Sequence, residues 1–122
     1  MILTFYLGTA AVQFKQYAAY LQRRTAVRAA QLYESVLRDN PYEPVALVNL
    51  GSHLARQGRS DEAGRLWGRA LATNPALEEA VLNLTQIRST QEARTLLLRY
   101  LELNPVSRNA RLRLAEIAAA ER

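Results

Sequence analysis

Three Asn-Pro pairs divide the chain at nearly regular intervals. They are Asn40-Pro41, Asn74-Pro75 and Asn104-Pro105, so successive pairs lie 34 and 30 residues apart. Proline cannot continue a helix interior and disfavours helical backbone at the residue before it, so each pair predicts the end of a helix. Asparagine also tolerates the left-handed backbone often found after a helix. A recurring interval of this length predicts a chain built from repeated helical units.

Length and composition agree with a helical repeat. The 122 residues are enough for one domain, and 49% of them are hydrophobic while 22% are charged, which is typical of a folded chain. Glycine and proline are scarce, with five and four residues, which argues against a β-sandwich rich in tight turns. We therefore predict a single all-α domain over residues 1–122.

The best-defined unit spans residues 44–75 and contains small residues where two helices must cross closely. Gly51 and Ala63 are small enough for a close contact between two helices, and Trp67 could fill the space one turn further on. Gly58 can end the first helix, and Ser60 can cap the second. This unit resembles the tetratricopeptide repeat. The residues that carry the resemblance are Leu47, Leu50, Gly51, Leu54, Ala63, Trp67, Ala70 and Pro75.

The flanking units are weaker copies of the same pattern. The first has Tyr17 in the place of the motif glycine, and the third is four residues shorter near its turn. Ser107 begins a last helix, which would cap the array. The resemblance, over residues 10–120, implies an α-solenoid of three hairpins at 3–41, 43–75 and 77–105 with a capping helix at 107–121. The seven expected helices are 3–23, 26–38, 43–57, 60–73, 77–88, 90–103 and 107–121.

The resemblance further implies a concave groove, lined by the first helix of each hairpin, that binds a peptide. Two columns of residues keep the 34, 34 and 30 spacing. The polar column is Lys15, Asn49, Asn83 and Arg113, and the apolar column is Phe14, Val48, Leu82 and Leu112. Asparagine amides can donate to and accept from a peptide backbone, as in the asparagine ladder of the family. The complete predicted groove set adds Ser52, Arg56 and Gln86.

Two questions about this groove stay open in the sequence. The asparagines could bind only water, and the apolar column could serve only to pack the core. Lys15, Arg56 and Arg113 favour an acidic partner segment or a carboxylate terminus, whereas Glu79 and Glu116 argue against a full carboxylate clamp. We therefore expect a protein or peptide partner, with an acidic segment as one alternative.

The first helix offers a second candidate interface. Its apolar residues step by four and three, which is the spacing of a heptad seam. The predicted interface residues are Leu3, Tyr6, Leu7, Ala10, Phe14 and Tyr17. The helix could pair with a second copy or shelter a partner's helix. Residues 1–12 are also uncharged and too short to span a bilayer, so the end of a longer membrane segment is another alternative.

Several functions find no support in the sequence. There is no cysteine, and the single histidine, His53, has no acidic residue three or four positions away. No phosphate-binding glycine loop appears, so we predict no enzyme, no cofactor and no metal site. The net charge is +5, and the first 33 residues carry basic residues without an acid. Asp61 and Glu62 interrupt the later arginines, and aromatic residues do not interleave with basic ones at loops or on a recognition helix, which argues against nucleic acid. We expect a cytoplasmic adaptor protein, with a membrane-anchored protein as the alternative.

Overall fold

All the regular secondary structure in the part of the chain that the structure describes is helical. The computed structural model covers the backbone of residues 2–122 and the side chains of residues 12–122. Within that range the elements are α1 (Ile2–Asp39), α2 (Pro44–Arg56), α3 (Ser60–Thr73), α4 (Glu78–Ile87), α5 (Thr90–Leu103) and α6 (Arg108–Ala120). The predicted all-α class is confirmed. The chain forms two compact units, Met1–Leu32 and Tyr33–Arg122.

The predicted number of seven helices is wrong. The helices expected at 3–23 and 26–38 are one continuous helix, α1, so the hairpin predicted at 3–41 does not form. The physical reason lies in the turn that joins α2 to α3, where Gly58 has a φ of 81°. The 34-residue interval places Arg24 at the corresponding position of the first unit. A left-handed backbone costs a residue with a side chain about 1–2 kcal/mol, so the helix continues through Arg24.

A second glycine is also missing from the first unit. A Cβ added at Gly51 would lie 2.5 Å from Nε1 of Trp67, so only glycine allows α2 and α3 to approach as they do. The corresponding residue of the first unit is Tyr17, which is far too large for such a crossing. The first unit therefore lacks both glycines on which the α2–α3 hairpin depends.

The three Asn-Pro pairs form the same turn. In each one the asparagine carbonyl accepts a hydrogen bond from the backbone N–H three residues later, at Glu43, Leu77 or Ser107, with an N···O distance of 3.2 Å. Asparagine in the first position and proline in the second are typical of a type I turn. The preceding helices end one residue before each asparagine, as predicted.

Asn74 and Asn104 do not adopt the left-handed backbone that asparagine tolerates. Asn74 and Asn104 have φ values of −136° and −139°, which is extended backbone. The following proline explains this, because it disfavours helical backbone at the residue before it. The side chain of Asn74 contributes in another way, since its Oδ1 accepts a hydrogen bond from the N–H of Ala76 at 3.1 Å.

Within the unit Tyr33–Arg122, five helices pack in two layers. Helices α2, α4 and α6 contact one another in sequence and form one layer, while α3 and α5 pack against them from the other side. The buried apolar residues lie between the layers. They are Ala46, Leu47, Val48, Leu50, Leu54, Ala63, Trp67, Ala70, Ala80, Val81, Leu84, Ala93, Leu97, Tyr100, Ala110 and Ile117.

Side-chain caps mark the starts of α2, α5 and α6, but not those of α3 and α4. Ser89 starts α5 with a capping box, in which its side chain and that of Glu92 each bond the other residue's backbone N–H. Ser60 was expected to cap α3, but it is the first helical residue and Arg59 precedes the helix without a side-chain cap. The Arg59 guanidinium instead bonds both carboxylate oxygens of Glu62, at 2.8 and 2.6 Å. These bonds lower the pKa of the Glu62 carboxyl.

Candidate functional site

The exposed side of the α2–α4–α6 layer, which we call the inner face, carries most of the predicted groove residues. Equivalent positions on the three helices follow the 34- and 30-residue intervals. Its side chains are exposed or half-buried. They are Val45, Asn49, Ser52, Glu79, Leu82, Asn83, Gln86, Asn109, Leu112, Arg113 and Glu116.

Asn83 is connected to the core by a chain of hydrogen bonds. Its Nδ2 donates to Oγ of Ser52 on the neighbouring helix at 3.4 Å, and Ser52 donates in turn to the carbonyl of Val48 at 3.0 Å. Trp67 donates its Nε1–H to the same carbonyl at 3.1 Å. Asn83 therefore has a defined position on the inner face, while the described residues offer no hydrogen bond to its Oδ1.

A pocket of about 510 Å³ opens between α4 and α6. Four of its six lining residues belong to the predicted groove set. The lining residues are Leu82, Gln86, Asn109, Leu112, Arg113 and Glu116. The structure thus places the predicted apolar pair of α4 and α6 next to amide and charged groups. This combination of apolar walls and a few polar groups is typical of ligand pockets.

Arg113 is held in place by groups of the protein itself. Its Nε and Nη2 donate to Oγ1 and the carbonyl of Thr85, at 3.3 and 3.4 Å. Its Nη1 donates to a carboxylate oxygen of Glu116 at 3.2 Å. Thr85 is 3% exposed and donates its own hydroxyl to the carbonyl of Leu82. Arg113 is therefore held by Thr85 and paired with a carboxylate of its own helix, whose side chain is 65% exposed.

The remaining predicted groove residues lie in three different settings. Val48 is only 3% exposed and is a core residue, so its side chain is not available to a ligand. Asn49 is half-buried on the same face of α2 as Ser52, and Arg56 is exposed at the end of that helix. Phe14 and Lys15 are exposed and belong to the other unit, Met1–Leu32.

The predicted interface helix is described in part. The side chains of Leu3, Tyr6, Leu7 and Ala10 lie outside the described residues. Phe14 and Tyr17 are 72% and 60% exposed. Over the described range, no helix combines the length and the apolar character needed to cross a bilayer.

Three residues that form hydrogen bonds at or beside the pocket were not predicted from the sequence. Besides Thr85, they are Glu78 and Asn109, whose Nδ2 donates to Oε2 of Glu78 at 3.3 Å. Glu78 also accepts a hydrogen bond from Ser107, and so joins the start of α4 to the start of α6. The interval of 30 residues that aligns Glu79 with Asn109 could have indicated this proximity. Side chains 12–122 contain no group of three or more metal-binding residues.

A protein-family model matches the part of the chain that contains α2 and α3. The sequence model of the tetratricopeptide repeat matches residues 18–79, just over half of the chain. The chain belongs to the tetratricopeptide repeat family. This tetratricopeptide assignment confirms the resemblance predicted from Gly51, Ala63 and Trp67, and the matched family is a repeat family rather than a catalytic one.

The tetratricopeptide fold extends beyond the matched segment. A solved structure described as the first TPR of Spaghetti (RPAP3) bound to the HSP90 peptide SRMEEVD is similar to this chain, with 25% sequence identity and a TM-score of 0.68. The similarity covers 83% of this chain and 85% of that one. A comparison with curated proteins found no match. Family and fold together support a protein-interaction role for this tetratricopeptide chain.

Proposed function

We propose that this protein binds a peptide segment of a partner protein along its inner face. The observation that carries the proposal is the open pocket between α4 and α6, continued towards α2 by the amides of Asn83 and Asn49. The solved tetratricopeptide domain that resembles this chain was determined with a peptide bound, which supports the same type of ligand here. The protein is thus an adaptor that recognises a partner without changing it chemically.

The two asparagines suit an extended peptide backbone. The described residues leave Oδ1 of Asn83 free to accept a peptide N–H, and they offer no side-chain hydrogen bond to Asn49. Leu82 and Leu112 beside them can receive an apolar side chain of the ligand. A hydrogen bond of this kind contributes about 1 kcal/mol net, so the amides set the register of the peptide while apolar contact provides much of the affinity.

The double variant Asn49→Ala, Asn83→Ala tests this proposal. Loss of two such hydrogen bonds should weaken peptide binding about 30-fold. The probe is a peptide selected by the wild-type protein from a phage-displayed library of random 12-residue sequences, and its affinity is measured by fluorescence polarisation. Stability should change by no more than about 1 kcal/mol, because only the long Asn83–Ser52 hydrogen bond is removed.

The matched control is Gln91→Ala, which removes an exposed amide from α5 on the other layer. Its affinity for the selected peptide should equal that of the wild type. Equal affinity of the double variant and the wild type would show that the asparagines do not bind the ligand. Failure of the wild type to enrich any peptide would argue against the proposal as a whole.

The exposed apolar residues of α1 favour a second candidate function, which is assembly with a second copy or with a partner's helix. Phe14 and Tyr17 lie one turn apart, and soluble proteins seldom leave such neighbouring aromatic side chains uncovered. If they mediate self-association, light scattering at micromolar concentration should give the mass of a dimer or larger species for the wild type. The variant Phe14→Ser, Tyr17→Ser should then be a monomer.

The control for this experiment is Leu103→Ser, which changes another exposed apolar residue, in the unit Tyr33–Arg122. It should keep the oligomeric state of the wild type. A monomeric wild-type protein would rule out self-association through α1.

A further inference from the structure

We propose that the pocket between α4 and α6 takes an uncharged segment of the partner, with an apolar side chain placed between Leu82 and Leu112, and does not take an acidic segment or a carboxylate terminus. This inference rests on the proposed peptide-binding function and specifies the chemistry of its ligand. It follows from the charges and hydrogen bonds of the six lining residues.

The only cation that lines the pocket in the described structure is already paired with a carboxylate of its own helix. Arg113 bonds Glu116 at 3.2 Å, and its two other contacts go to Thr85. A ligand carboxylate would therefore have to compete with Glu116 for the same guanidinium and would lie close to a second negative charge. Such like-charge contact opposes binding, so the pair Arg113–Glu116 selects against an acidic ligand.

An acidic residue lies on the inner face beside the pocket. Glu79 precedes Leu82 by one helical turn and is exposed on α4. On α2 the corresponding residue is the apolar Val45, which is 60% exposed, and on α6 it is the neutral Asn109. Arg56, the other predicted cation of this face, does not line the pocket. The described lining residues therefore include no cation besides Arg113 that could hold a carboxylate terminus.

The groups that are available match a neutral peptide. Gln86 offers a donor and an acceptor, and the Nδ2 of Asn109 is engaged with Glu78, so its Oδ1 is the group left for a ligand N–H. Leu112 is 51% exposed although it faces a pocket, and an apolar ligand side chain would cover it. Backbone amides and one apolar side chain would satisfy these groups without a net charge.

The expected specificity differs from that of the ligand in the similar solved structure. That domain was determined with the peptide SRMEEVD, which contains two glutamates and ends in an aspartate. We expect this protein to discriminate against such a sequence, even though its fold is similar. The shared fold would then position a ligand on the same face, while the side chains of that face determine whether an acidic or a neutral peptide binds.

A selection experiment tests the inference with the full chain. The wild-type protein and the variant Glu116→Gln are each used to select from the same random 12-residue phage library. Peptides selected by the wild type should contain apolar residues and no excess of Asp or Glu. Their affinity should change little between about 0.1 M and 1 M salt, because screening weakens only charged contacts.

Glu116→Gln should shift the selection. The variant leaves Arg113 without its carboxylate partner, so the pocket gains a net positive charge. Its affinity for an acidic peptide relative to the neutral analogue with Gln and Asn should rise about 2- to 5-fold above the wild-type ratio. Glu121→Gln is the control, because Glu121 pairs with Arg94 away from the pocket and its loss should leave the ratio unchanged.

The possible results separate the inference from the proposed function. Selection of acidic peptides by the wild type, or an unchanged ratio in Glu116→Gln, would overturn the inference and leave peptide binding intact. Enrichment no greater than that of an inert protein would overturn both.

Discussion

Trp67→Ala is expected to lower the free energy of unfolding by about 3–5 kcal/mol. Trp67 is 2% exposed and lies between α2 and α3, where its indole packs directly on Gly51. Removal of the ring leaves a large cavity in a small core and also removes the hydrogen bond to the carbonyl of Val48. Since small domains have only about 5–15 kcal/mol of stability, this single change should bring the chain close to unfolding.

Urea denaturation followed by circular dichroism measures this effect. Leu98→Ala is the control, because Leu98 is 49% exposed and its truncation should change stability by less than about 0.5 kcal/mol. Trp67→Phe retains most of the apolar volume and lacks only the donor and part of the ring, so it should be less harmful than Trp67→Ala. Equal stabilities of Trp67→Ala and Leu98→Ala would contradict the packing described for this hairpin.

Gly51→Ala should destabilise the protein by about 1–3 kcal/mol, although alanine normally stabilises a helix interior. The new Cβ would lie 2.5 Å from Nε1 and 2.8 Å from Cδ1 of Trp67, which is too close for either group to keep its position. The two helices would have to move apart. Thermal or urea unfolding of the purified variant provides the measurement.

Gly68→Ala is the matched control for this change. Gly68 also lies within a helix, but a Cβ added there would meet no atom within 4 Å. This variant should be more stable than the wild type by about 0.5–1 kcal/mol, so the two glycine substitutions should have opposite signs. Gly51→Ala should also be less harmful in a Trp67→Phe background, and independent effects of the two changes would argue against direct contact.

The sequence predicted the repeat unit well because its signals are local. An Asn-Pro pair ends a helix through the covalent structure of proline, and the same turn recurs at Asn40, Asn74 and Asn104. Gly51 lies where there is no room for a side chain. Gly58 has the left-handed backbone conformation that glycine adopts most easily. Such residues act within a few neighbours and can be recognised without knowledge of the distant chain.

The prediction for the first unit was wrong because it relied on the 34-residue interval, although the residues within that interval do not favour a turn. The 34-residue spacing suggested a hairpin, but Tyr17 and Arg24 occupy the two places where the α2–α3 hairpin has glycine. Without a residue that stops it, a helix continues, and α1 runs to Asp39. A repeat interval predicts a turn only when the turn residues are also present.

The inner face was predicted in outline, while its hydrogen bonds were not. Regular spacing placed Leu82 and Leu112 in one column, and both line the same pocket. The pairing of Arg113 with Thr85 and Glu116 depends on the distance between α4 and α6 and on side-chain rotamers, which spacing alone does not determine. For that reason the sequence suggested an available cation at Arg113, whereas in the structure Arg113 is paired with Glu116.

Trp67 is the only tryptophan of the chain, and three hydrogen bonds connect its indole through Val48 and Ser52 to Asn83 on the inner face. The protein therefore contains its own optical probe. The emission of an indole depends on the polarity and hydrogen bonding of its surroundings, and this indole shares an acceptor with the proposed ligand site. Intrinsic fluorescence can consequently report on events at the inner face without any label attached to the protein or to its partner.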